Sequence, residues 1–126
     1  MSDLKYIIAF LLAAGIFSSC EKAYYKPLTV SISPNDTIHF ATDIKPFLAG
    51  NCAKSGCHDA GTKTKGLNFE AAASYTTIND FSLVDTTNAE QSLMYVKINS
   101  GTMKQYATPE FTAKLLIWIK QGAQDN

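Results

Sequence analysis

Asn51-Cys52-Ala53-Lys54-Ser55-Gly56-Cys57-His58 is the stretch on which the reading of this chain turns. Two cysteines with a histidine directly after the second form the arrangement that covalent haem attachment requires. Each cysteine sulfur adds across one haem vinyl group, so both must reach neighbouring edges of one ring. The adjacent imidazole then lies beneath the iron and donates a nitrogen axially. The common spacing is shorter; here four residues separate Cys52 and Cys57. Small Ser55 and flexible Gly56 let the additional residues loop outward without moving either sulfur. Two other arrangements use the same side chains. One is a Cys52–Cys57 disulfide with His58 an exposed loop residue. The other is a zinc site that recruits His39, although its spacing matches no usual zinc pattern.

Upstream, Lys5 stands beside an apolar run from Tyr6 to Phe17. That run is too short to span a bilayer and suits the apolar region of a signal peptide. It ends Ile16-Phe17-Ser18-Ser19-Cys20, which resembles a bacterial lipoprotein signal: small residues precede a cysteine that is lipidated and becomes the new N-terminus. A leader over residues 1–19 and a lipid on Cys20 are expected, the alternative being an ordinary signal peptide cut elsewhere. More than one acyl chain is what stable anchoring needs. Export also bears on the cysteines, because outside the cytoplasm a thiol pair is expected to be bridged, metal-bound or covalently modified. Residues 20–38 read as the lipidated cysteine and a tether. As a flexible chain, residues 21–38 span about 25 Å end to end. The alternation of Leu28, Val30 and Ile32 would also suit a short strand.

Downstream, residues 39–126 read as one all-α domain of about four short helices. The first covers about Ala41 to Asn51, with Ile44, Phe47 and Leu48 on one face and Pro46 in its first turn, capped by Thr42 or Asp43. A second covers about Phe69 to Thr77. A third covers about Ala89 to Asn99, opened by Thr87 with Glu90 three positions on, as in a capping box. The fourth is the clearest: Thr108 caps it, Pro109 takes the first helical position and Gly122 ends it. Phe111, Leu115, Trp118 and Ile119 recur along it at helical spacing and should pack across the first helix, against Phe47 and Leu48. A core this thin often leans on a staple or a cofactor.

The 126-residue chain is 46% apolar, which is enough for one packed domain after a leader. Its 11 basic residues are all lysines and are matched by 11 acidic ones. Without arginine or a basic patch, nucleic acid is a poor candidate partner, nothing favours electrostatic capture of an acidic substrate, and no small-molecule substrate is expected.

Most of residues 39–126 resembles the small c-type cytochrome domains of exported bacterial proteins, including the planctomycete-type group. Those domains open with a segment like His39-Phe40-Ala41-Thr42-Asp43-Ile44-Lys45-Pro46-Phe47-Leu48 before the cysteine motif. They continue with a Gly-Leu like Gly66-Leu67 and a helix like Ser92-Leu93-Met94-Tyr95. They close with an iron-ligating methionine and a helix ending like Trp118-Ile119-Lys120-Gln121-Gly122-Ala123. The resemblance implies a cytochrome c-like fold around one haem c, held covalently by Cys52 and Cys57. His58 and Met103 are then the axial iron ligands, with Met94 and His39 as the competing ligands. Family members often place a proline directly after the methionine; here Lys104 follows.

With both axial positions filled, the expected role is single-electron transfer, not catalysis. The partners are then redox proteins and a membrane of the cell envelope, reached through the lipid on Cys20. A rival from another class is a non-redox lipoprotein, a binding or scaffold module with a Cys52–Cys57 disulfide. A third keeps the haem but makes Met103 displaceable, giving a small-ligand sensor.

Overall fold

The computed structural model describes residues 31–126. The leader, Cys20, and Leu28 and Val30 of the tether lie outside the described residues. Among those residues there are four helices and no strand, so the fold is all-α. Helix α1 has three parts: Phe40–Ile44 and Leu48–Cys52 are wound as π-helix around a short α-helical Lys45–Phe47. The others are α2 (Ser74–Asp80), α3 (Leu93–Asn99) and α4 (Pro109–Lys120). Short 3₁₀ turns lie at Thr64–Gly66, Ala89–Gln91 and Lys104–Tyr106. No helix among the described residues is long and apolar enough to cross a membrane.

Helix α4 forms as its local signals dictate. The Phe111 N–H donates to the Thr108 hydroxyl at 3.1 Å, which satisfies one of the unpaired donors of the first turn. Pro109 has no N–H to leave unpaired there. At the far end Gly122 takes φ +100°, a conformation that suits a residue without Cβ, and closes the helix. The stripe Phe111, Leu115, Trp118 and Ile119 is buried.

Helix α1 covers the expected stretch but starts differently. Pro46 sits well past the first turn, and neither Thr42 nor Asp43 is the cap. His39 is the cap residue, and Asp43 reaches back to accept its N–H at 3.1 Å. A proline inside an ordinary α-helix clashes with the carbonyl four residues back. The wider π turn, in which Lys45 N–H donates to Phe40 C=O, opens the helix just ahead of the ring.

The two middle helices depart from expectation for local reasons. The second begins at Ser74, not Phe69. The Asn68 side chain accepts from Glu70 N–H, and the Glu70 carbonyl takes both Ala73 and Ser74 N–H, which makes a separate turn. Ala71 and Ala72, both exposed, offer little to bury, so the helix starts beside Tyr75 and Ile78. The third is split. Thr87 donates its N–H and hydroxyl to Asp85 and caps nothing. Ser92 bonds to both the N–H and C=O of Asp85, which holds its backbone extended at ψ 131°. The chain therefore makes a 3₁₀ turn at Ala89–Gln91 and restarts as α3.

The core is the meeting of α1 and α4, as the apolar faces predict. Phe47 stacks on Phe111 with ring centroids 3.7 Å apart. Phe40 lies 5.4 Å from Trp118 and edge-on to Tyr75 at 5.1 Å. Such pairs contribute about 0.5–1.5 kcal/mol each beyond area burial. Lys114 of α4 reaches Asp43 at 3.1 Å and Glu110 at 3.2 Å, tying the same two helices on the outside. The C-terminal tail folds back over this junction. Trp118 Nε1–H donates to Gln124 C=O, and Tyr75 O–H to Ala123 C=O. Asn126 completes the start of α1: its Oδ1 accepts from Phe40 N–H at 2.8 Å and its carbonyl from Ala41 N–H at 2.9 Å.

Candidate functional site

Helix α1 ends at Cys52, so the first cysteine is fixed by a rigid element whose other face is core. The chain then loops back on itself. Ala53 N–H donates to Leu48 C=O, Cys57 N–H to Lys54 C=O, and His58 N–H to Cys52 C=O. Gly56, at φ +82°, supplies the left-handed corner of that turn. The four residues between the cysteines thus form a closed bulge that returns Cys57 and His58 to the end of α1. This is the outward loop that Ser55 and Gly56 predict.

Both cysteines are free thiols, Cys52 half-buried and Cys57 exposed. Burial pushes the Cys52 thiol up to about 11, with the Cys57 sulfur adding to the rise and Lys54 opposing it. At neutral pH Cys52 is therefore a protonated, largely apolar group.

His58 is held on two sides. Its Nδ1 lies 3.0 Å from the Thr64 carbonyl oxygen, and its ring meets the edge of Phe69 at 5.2 Å between centroids. A carbonyl can only accept, so Nδ1 carries a proton, and in the neutral ring Nε2 is then the nitrogen with the lone pair. Two further bonds fasten the loop around the imidazole: Thr64 N–H to Cys57 C=O at 3.0 Å, and Phe69 N–H to His58 C=O at 2.8 Å. A neutral imidazole with Nδ1–H given to a backbone carbonyl is the form in which histidine ligates a metal through Nε2.

Met103 lies on a different loop, between α3 and α4, half-buried against the same core. Its N–H donates to Lys97 C=O at 3.0 Å, and Gly101 N–H to Val96 C=O at 2.9 Å, so the loop hangs from the end of α3. A Cβ on Gly101 would come within 2.9 Å of Lys97 Cα, which is why the chain can lie so close there. None of Met103's own backbone hydrogen bonds runs to the Cys52–His58 loop. Met94 is only 4% exposed and belongs to the core. His39 is exposed at the opposite end of α1 from Cys52, about 15–20 Å away at roughly 1.5 Å per residue. That separation removes the zinc arrangement. Among the described residues no three His, Cys, Asp or Glu side chains gather where they could hold a metal ion.

The donor set fits a covalently held haem: two uncombined thiols, and one imidazole with its lone pair free. Cys52 and Cys57 would form the thioethers and His58 Nε2 the axial bond. All three stand out in the sequence itself. It does not single out Thr64 or Phe69 as the groups that orient His58, because a backbone acceptor leaves no trace in residue type. Compared with known proteins, the chain matches no family model, no curated protein and no solved structure.

Proposed function

We propose that residues 39–126 form a c-type cytochrome that transfers single electrons through one covalently bound haem. The observation that carries this reading is the state of His58. Its Nδ1–H is given to Thr64, and its Nε2 is available beside two free thiols that return to the same helix end. A haem held there supplies a one-electron couple. The protein's part is to fix the axial imidazole, exclude water and set the potential. The hydrogen bond to the Thr64 carbonyl would make His58 a stronger electron donor to a bound iron, which favours the oxidised state. Met103 is the proposed second axial ligand, and a thioether sulfur favours the reduced state. The half-buried position of Met103 on a loop anchored at both ends suits a group that must reach across to a haem face. With both positions filled, the domain is a carrier and not a catalyst.

Cys20 is the proposed lipid attachment site, which would hold the domain at a membrane of the cell envelope within reach of redox proteins. The deciding experiment is the denatured mass of the full chain expressed with haem-ligation machinery. A gain of one haem that survives denaturation and acid–solvent extraction is expected. The unmodified mass with an intact Cys52–Cys57 disulfide would overturn the reading in favour of a non-redox lipoprotein. Labelled fatty acid should enter the wild type and not Cys20→Ser.

A further inference from the structure

We infer that Phe81, at the end of α2, is a positioning residue for His58, acting through Gly66 and the carbonyl of Thr64. The starting point is an unusual run of backbone. Lys63 (φ 44°, ψ 50°) and Lys65 (φ 61°, ψ 21°) both lie in the left-handed region, as does Gly66 at φ +80°. Residues with a Cβ avoid that region, and a long side chain such as lysine has no local hydrogen bond to offset the cost. Two such residues in three positions persist only where their surroundings over-determine them. Between them stands Thr64, whose carbonyl receives His58 Nδ1–H.

The direction of that carbonyl is set by the peptide joining Thr64 to Lys65. If Lys65 relaxed to a right-handed conformation, that peptide would turn and the oxygen would swing away from His58. Hydrogen bonds within the loop resist this: Lys63 N–H to Asp59 C=O, Gly66 N–H to Lys63 C=O and Leu67 N–H to Thr64 C=O. From outside the loop comes Phe81. A Cβ on Gly66 would meet its Cζ at 3.0 Å and its Cε1 at 3.2 Å, so the ring lies directly over this glycine. Phe81 is 47% exposed and lies outside the buried core. Its ring is explained by what it covers: it backs the left-handed turn and keeps the Thr64 oxygen facing the imidazole. The consequence for electron transfer rests on the proposed role of His58 as axial ligand. Loosening the Nδ1–H bond makes His58 a weaker donor and raises the reduction potential.

The test measures solvent exchange of His58 Nδ1–H on the full ¹⁵N-labelled chain, in the reduced form where haem is bound. Phe81→Ala should speed that exchange by about tenfold or more, since local opening becomes easier. Phe81→Leu keeps apolar bulk over Gly66 and should stay close to wild type. The amides of Leu115 and Ile119 in α4 are the control and should keep their protection. If they lose it too, Phe81→Val decides: it keeps an apolar side chain but no longer reaches over Gly66, and it must speed the same His58 exchange. Unchanged exchange in that variant overturns the inference. So does wild-type exchange and wild-type potential in haem-loaded Phe81→Ala, which would leave the proposed function standing. A chain that carries no haem overturns the proposed function instead, and the exchange rates still judge the role of Phe81.

Discussion

In α4 the backbone donors are satisfied by residues three or four positions away, and one stripe of side chains fills the core. In the loop from Ala53 to Phe69 almost nothing is regular. Its shape rests on turn bonds between backbone groups, four left-handed residues and a ring leaning in from α2. The helix is stabilised by burial and is insensitive to the exact direction of any one peptide. The loop buries little, so its energy lies in a few directed bonds, and the direction of one carbonyl decides what His58 can do. Changes in the first region should therefore be read in stability. Changes in the second should be read in the properties of the site.

The largest expected effect breaks the helix side of this contrast. Trp118 is 1% exposed, and Trp118→Ala should cost about 3–5 kcal/mol in urea denaturation. A loss below 1 kcal/mol would mean that α4 does not organise the core. Met94→Ala comes next, at about 2–4 kcal/mol for a buried methionine, and the haem-loaded protein should keep the weak long-wavelength absorption band of methionine ligation. Met103→Ala should do the reverse, with a smaller stability loss, no band and a lower reduction potential. The opposite pattern would transfer the ligand role to Met94.

Thr108→Ala tests the capping of α4 and should cost about 1 kcal/mol by the same denaturation measurement, with Thr108→Ser recovering most of it.

The smallest effect concerns the ion pair outside the core. Burial raises the Asp43 carboxyl, but the His39 N–H, the Lys114 ammonium and the Thr42 hydroxyl outweigh it and hold the group below its usual range. A depressed carboxylate contributes stability above its unfolded value of about 4, and that contribution is lost as pH falls through the folded value. Asp43→Asn should therefore cost under about 1 kcal/mol at pH 7 and nothing near pH 2. A difference that persists in acid would show that the Asp43 side chain acts by shape and not by charge.

What could be read from the sequence follows the same division. Helix α4 was legible to the residue, because Thr108, Pro109 and Gly122 are local signals that tertiary contacts do not override. The span of α1 was legible from its apolar face, but its winding was not: the first π turn opens ahead of Pro46, and the amides that start it find their acceptors on Asn126, far along the chain. Asp85 defeated the capping-box reading of Thr87 and Glu90 by taking Thr87 and Ser92 for itself. Within the candidate site, Cys52, Cys57 and His58 stood out because covalent haem attachment requires those residue types. Thr64, Gly66 and Phe81 did not, since the first acts through its backbone, the second through the atom it lacks, and the third by lying across a residue adjacent only in space.

The bond from Phe40 N–H to Asn126 joins residues 86 positions apart, and Ala41 N–H reaches the same residue. These two amides open α1, yet their protection from deuterium depends on Asn126 and not on the helix itself. Their exchange rates therefore time a long-range contact at the opposite end of α1 from Cys52.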